Sequence, residues 1–165
     1  MFNLTIRTVT RTDLPALEWG GEYTHFRRVY ASAYREQEQG RAVLWIAELP
    51  KAGIIGQTFV QLISARPELA DGGTRGYLYS VRVRAPYQRQ GIGTRLLQWA
   101  EADLERRGFY IAVLNVNKEK QETRRWYERL GYRITAVERD VDGIYRRGPE
   151  VLVYGGPEMV DGPYG

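Results

Sequence analysis

Residues 3–9 alternate apolar with polar, placing Leu4, Ile6 and Thr8 on one side, the pattern of a half-buried strand. Thr12-Asp13 ahead of Leu14-Pro15 reads as a helix start, with Asp13 or Thr12 as cap. From 25 to 39 the period lengthens to that of a helix, with Phe26, Val29, Tyr30, Ala33 and Tyr34 on one stripe and Gly40 as its stop. Residues 42–49 and 54–64 read as two strands joined by the turn Pro50-Lys51-Ala52-Gly53. A polar, glycine-bearing loop covers 66–76. A strand follows over 77–84, with Tyr77, Tyr79, Val81 and Val83 on one face and Ala85-Pro86 closing it.

In the second half, 94–107 is helical, with Leu97, Ala100 and Leu104 along one side, flanked by Leu96 and Trp99. Gly108, just past Arg106 and Arg107, supplies a left-handed stop. The near-continuous apolar run 109–116 predicts a strand covered on both faces. A short helix over 123–130 puts Trp126 and Leu130 one turn apart, and Gly131 ends it. Strands at 134–139 and 150–154 flank an Asp142-Gly143 turn, and the Gly- and Pro-rich stretch 155–165 reads as a mobile tail. This order argues for an α/β chain with a mixed sheet, one domain over 1–154.

Composition narrows the chemistry. With 165 residues, 43% hydrophobic and 27% charged, the chain suits one compact globular domain and excludes a fibrous or disordered one. No run of eighteen apolar residues exists and no basic leader precedes an apolar core, so a cytoplasmic protein without a membrane helix is expected. There is no cysteine and one histidine, His25, which removes disulfides, thiol nucleophiles and Cys-His metal sites; no metal is expected. No Gly-x-Ser-x-Gly elbow accompanies His25, so a serine triad is disfavoured. The net charge of +4 favours anionic ligands, but the basic residues are interspersed with acids, which speaks against nucleic acid as the partner.

The informative stretch is 81–94, Val-Arg-Val-Arg-Ala-Pro-Tyr-Gln-Arg-Gln-Gly-Ile-Gly-Thr. A strand ends, a loop carries Gly91 and Gly93, and a helix begins at once. The free amides and dipole of a first helical turn make an anion site, and glycine keeps side chains out of the approach. Thr94 can add a hydroxyl, and Arg89 and Arg95 charge. A dinucleotide fingerprint would need glycine where Leu96 stands, and a triphosphate loop would need Gly-Lys-Ser/Thr. A plain strand-to-helix turn remains the bland alternative.

Gln88-x-x-Gly91-x-Gly93, with the Val81-x-Val83 strand and Pro86-Tyr87 before it, resembles the Arg/Gln-x-x-Gly-x-Gly/Ala signature of the GNAT superfamily of N-acetyltransferases. Downstream, Trp126-Tyr127-Glu128-Arg129-Leu130-Gly131-Tyr132 is similar to that family's Phe-Tyr-Glu-Lys-x-Gly-Phe element. The likeness is firm over 77–132. It implies a mixed, mostly antiparallel central sheet, flanked by helices, in which two parallel strands (77–84 and 109–116) splay apart. Acetyl-CoA would lie in the splay as co-substrate, its pantetheine along Val81, Arg82 and Val83. Its pyrophosphate would rest on the backbone amides of Arg89, Gln90, Gly91, Ile92, Gly93 and Thr94, with Gln88 also among the cofactor-binding residues.

The implied reaction is direct attack by a primary amine on the thioester carbonyl, polarised by a backbone amide near Val83. Tyr127 would be the general acid to the leaving sulfur, since a phenol near pKa 10 and a thiol near 8.5 can share a proton. Two departures stand out. Lys120 stands where the family often has a cofactor-touching asparagine, with Asn117 nearby as its substitute. Tyr77 and Tyr79 stand where several members carry a glutamate base, leaving Glu48, Asp71, Tyr79 or a water chain for that role. The amine acceptor, a small molecule or peptide, would lie between 22–34, the central strand and the loop after Asp140. Glu22, Asp140 and Asp142 would attract it, and Tyr23, Tyr30 and Tyr34 would wall it. A homodimer is among the assemblies the likeness admits. The alternative to an enzyme is a catalytically silent acyl-CoA-binding module of the same fold.

Overall fold

The computed structural model describes residues 3–21, 27–117, 120–138 and 151–155. Strand β1 (Thr5–Thr8) leads into a 3-10 segment (Arg11–Gly21) and helix α1 (Arg27–Glu38). Strands β2 (Ala42–Leu49), β3 (Gly53–Gln61) and β4 (Arg75–Val83) follow. Then come α2 (Ile92–Arg106), β5 (Ile111–Asn117), α3 (Gln121–Arg129), β6 (Arg133–Glu138) and β7 (Val151–Gly155). The strands form one sheet in the order β1-β2-β3-β4-β5-β7-β6, antiparallel throughout except for β4 beside β5. This is the mixed, mostly antiparallel sheet expected from the sequence.

Both faces of the sheet are covered. On one, Leu96, Leu97, Ala100 and Leu104 of α2 are fully buried against Val43, Ala47, Ile55, Val60, Leu78, Ala112 and Leu114. The helix comes close enough at Gly76 that a β-carbon there would lie 2.5 Å from Leu104 Cδ2. On the other face, Leu17, Tyr30 and Ala33 close over Leu44, Ile46, Ile54 and Phe59. A smaller group, Leu69, Ile111 and Val113 with Tyr77, covers the start of β5, so that strand is buried on both sides as its apolar run predicted. Gly108 and Gly131 end their helices at φ +87° and +99°. Among the described residues no helix is long and apolar enough to cross a membrane.

Several expectations change. The segment after Thr10 is a 3-10 helix, and Asp13 accepts bonds from the Thr10 amide (2.7 Å) and from Arg7 (2.8 Å) instead of capping an α-helix. Val29 is 49% exposed: the buried stripe of α1 runs through Tyr30 and Ala33, and Val29 lies to one side of it. Phe26 lies outside the described residues. Strand β3 stops at Gln61 instead of 64. Most consequentially, β4 does not keep Tyr77, Tyr79, Val81 and Val83 on one face. Tyr79 packs with Phe59, whereas Val81 and Val83 pack on the α2 side. The Asp142-Gly143 turn and residues 156–165 lie outside the described residues.

Candidate active site

The change of face has a local cause. Gln57 pairs with Arg82 and Phe59 with Tyr79, so Ser80 and Val81 together oppose Thr58 alone, which is a β-bulge. Ser80 adopts φ +53°, a left-handed conformation that costs a residue with a β-carbon about 1 kcal/mol or more. The bulge begins three residues past the last parallel pair, Tyr77–Val113. Strands β4 and β5 share only the pairs Arg75–Ile111, Gly76–Ala112 and Tyr77–Val113. Beyond them both strands continue but no longer pair, leaving a wedge whose inner edges carry main-chain amides and carbonyls.

Past the wedge, a 3-10 turn (Ala85–Tyr87) redirects the chain. Gln88 Nε2 donates to Val83 O (2.8 Å) and Gln90 Nε2 to Pro86 O (3.2 Å), tying the loop back to the strand end. Arg89 and Gly91 take φ +62° and +84°, and such alternation turns successive amides toward a common point. The first intrahelical bond of α2 runs from Arg95 N to Gly91 O (3.0 Å), so the amides of Ile92, Gly93 and Thr94 belong to the unpaired first turn. Beside them opens a cavity of about 530 Å³, in the range that takes a cofactor.

Of the residues expected at the cofactor, Val83, Gln88, Arg89, Gly91, Gly93 and Thr94 line this cavity. Gln90 is exposed and is not among the lining residues, and Ile92 is buried in the core with its amide in the first turn. Val81 packs toward α2, while the Arg82 side chain crosses to the opposite face. The side chain of Asn117, which pairs through its backbone with Val151, is outside the described residues. The far wall is α3, through Glu122, Arg125, Trp126 and Arg129, at helical spacing i, i+3, i+4, i+7. Sequence reasoning read Trp126 as packing and passed over the arginines; their shared helix face was the available signal. Trp126 Nε1 donates to Thr94 Oγ1 (3.0 Å), and a β-carbon on Gly93 would come within 3.1 Å of the indole.

Tyr127 turns inward from that wall. It is 6% exposed, with its ring 4.8 Å from Trp126 and 5.8 Å from Tyr132, and burial pushes its phenol up to about 12. Tyr132 donates to Glu101, whose carboxyl is raised by burial. The candidate bases divide. Glu48 is bound by Arg7 through both oxygens (2.7 and 3.2 Å). Asp71 Oδ1 accepts the amides of Gly73, Thr74 and Arg75, a loop-holding role. Tyr79 is pushed to about 12 by burial and by the nearby Glu36 charge. It borders a second cavity, about 340 Å³, between α1 and the sheet, with Glu36, Gln61 and Arg28. Tyr30 belongs to the core on the other face, where its Oη accepts from Arg82 Nη2 (2.6 Å), and Tyr34 packs part-buried against the same cluster. Glu22, Tyr23, His25, Asp140 and Asp142 lie outside the described residues.

The sequence over residues 11–132 matches the Acetyltransferase (GNAT) family. No curated protein matches. Among solved structures, the ribosomal-protein-S18-alanine N-acetyltransferase from Escherichia coli superposes with a TM-score of 0.73 at 22% identity, covering 96% of each chain. YncA from Salmonella typhimurium, solved with its cofactor acetyl-CoA, gives 0.75 at 17% identity over 98% of this chain and 96% of that one. A spermidine N-acetyltransferase chimera from Vibrio cholerae SpeG and hSSAT gives 0.73 at 15% identity over 93% and 94%. At these identities the likeness to solved structures is one of fold.

Proposed function

Since this chain belongs to the GNAT acetyltransferase family, we propose that it transfers an acetyl group from acetyl-CoA to a primary amine by direct attack. The observation that carries the proposal is the wedge between β4 and β5 opening onto the loop Arg89–Thr94, where Arg89 and Gly91 are left-handed and the first turn of α2 is open. A pyrophosphate there would meet several main-chain amides and the cations of Arg89, Arg125 and Arg129. The pantetheine arm, itself peptide-like, would satisfy the free edges of the parted strands.

The acceptor nitrogen, as free amine, attacks the thioester carbonyl. A carbon–nitrogen bond forms, and the oxygen gathers charge toward the main-chain amides of β4 near Val83. The carbon–sulfur bond then breaks. The sulfur receives a hydrogen bond and then the proton from Tyr127, and the nitrogen gives up its extra proton through water. Raised to about 12, Tyr127 holds its proton until the sulfur carries charge. A thiolate emerging into the same apolar surroundings is made more basic by the same burial, which narrows the mismatch. With Glu48 and Asp71 engaged elsewhere and Tyr79 a reluctant ionising group, water is the proton acceptor favoured on the amine side.

Titration calorimetry with coenzyme A, followed by thiol-release assays over a panel of primary amines, tests the proposal. Tyr127→Phe is expected to lower kcat about 100-fold with acetyl-CoA affinity unchanged. Failure of coenzyme A to bind overturns the reading. Binding without turnover on any amine would point instead to the silent acyl-CoA-binding module.

A further inference from the structure

Resting on the acetyl-CoA reading above, we infer that Gln57 is a positioning residue for acyl transfer: it clamps the left-handed bulge at Ser80 and thereby sets where the following β4 amides point. Gln57 is fully buried on β3 and uses both ends of its amide. Its Nε2 donates to Ser80 Oγ (2.7 Å) and Ser80 O (3.1 Å), while its Oε1 accepts from Arg82 Nη2 (2.9 Å). The orientation is forced. Arg82 can only donate, so the Gln57 oxygen must face it and the nitrogen must face Ser80.

Arg82 is itself held from outside the sheet. Its Nη2 also reaches Leu17 O (2.8 Å) and Tyr30 Oη (2.6 Å), and its guanidinium lies 4.0 Å from the Trp19 ring centre. The bulge is therefore gripped from β3 by Gln57, and Gln57 from the 3-10 segment and α1 through Arg82. A strained, non-glycine kink persists only when its surroundings over-determine it. The amides after the kink border the wedge where the thioester carbonyl would lie, so loosening the kink would re-aim them. The phosphate loop has separate ties, Gln88 to Val83 and Trp126 to Thr94, so cofactor binding and carbonyl polarisation are separable.

Two variants address this. Gln57→Glu keeps the volume and the acceptor for Arg82 but cannot donate to the Ser80 carbonyl; Gln57→Leu removes all three bonds. The primary readout is the infrared carbonyl stretch of acetyl-CoA labelled with carbon-13 at the carbonyl. Bound to the wild-type protein it should move to lower frequency than in water. In Gln57→Glu at least about half of that displacement should vanish, while coenzyme A affinity stays within about threefold. With any accepted amine, kcat should fall about tenfold or more at unchanged KM for acetyl-CoA. Glycine reaches φ +53° without strain, so Gln57→Leu combined with Ser80→Gly should regain most of the displacement, which a merely structural role of Gln57 would not allow. The inference is overturned if Gln57→Glu keeps the full displacement, loses it only together with affinity, or if the wild-type protein binds acetyl-CoA without displacing the stretch. If Gln57→Leu does not fold, Gln57→Glu alone decides. Failure of the wild-type protein to bind coenzyme A would instead overturn the acetyl-CoA reading.

Discussion

Tyr79, Tyr127 and Tyr132 are phenols whose ionised forms the fold disfavours, the first two pushed up to about 12, chiefly by burial. In the unfolded chain each would ionise near its ordinary value of about 10. Between those values the unfolded state gives up protons that the folded state keeps, so stability falls as pH rises. Their contribution is complete below about pH 10 and is lost as pH climbs through about 12. Urea midpoints measured from pH 8 to 11.5 should be flat and then descend above pH 10; a flat profile throughout would refute the burial of these groups. The same reasoning predicts no loss of activity from Tyr127 ionisation below pH 10. At the acid end Asp13, held near 2 by the Arg7 guanidinium, contributes above its ordinary value and is lost as pH falls toward 2. Gly76 makes a steric case. A β-carbon 2.5 Å from Leu104 must displace that side chain, so Gly76→Ala should cost about 1–3 kcal/mol in urea unfolding.

Among the elements, what the sequence made legible follows from how strictly each position is constrained. Gly108 and Gly131 were readable as helix stops because left-handed residues there are nearly always glycine. The glycines of the loop between β4 and α2 stood out because Gly91 and Gly93 answer to two separate demands, a positive φ and the close approach of Trp126. The bulge in β4 was not readable. Its left-handed residue is a serine, which does not signal a positive φ, and Arg82, which a uniform alternation puts on the Leu78 face, is an ordinary side chain for the end of a strand. Val29 was misassigned because a stripe of five apolar positions is wider than the face α1 buries. The role of α3 was half legible: the aromatic pair at 126–127 was visible, but that Trp126 faces the loop while Tyr127 faces the core depends on the packing of α3 against α2. Replacing Gly93 by Val is expected to push the indole off Thr94 and weaken coenzyme A binding about tenfold or more in calorimetry, with the fold retained.

At the scale of the whole molecule, the sheet is continuous at one end of the β4–β5 seam and open at the other. Under the proposed function the cofactor completes that seam, so a ligand at about 100 times its Kd should add about 2.7 kcal/mol. For a chain of 165 residues that corresponds to roughly 5–10 °C in Tm, measurable by calorimetric or fluorescence melting with and without coenzyme A. The general architecture was legible because element order constrains a mixed sheet strongly, and the position of the seam followed from the family likeness. The extra residue in β4 also bears on how this chain can change over generations. Ser80 works as a phase shifter: upstream of it odd-numbered side chains look to one layer, downstream to the other. Pairing Ser80 with Thr58 in a regular ladder at unchanged length would drive the Arg82 cation into the oily side under α2 and evict Val81 and Val83 from it, whereas losing one codon at the bulge would leave Arg82 opposite Gln57 and both valines where they are. One residue added between the bulge and Arg82 would flip that bookkeeping of inside and outside, while one removed at the bulge would preserve it and cost only the kink, so this stretch should tolerate shortening by one far better than lengthening by one.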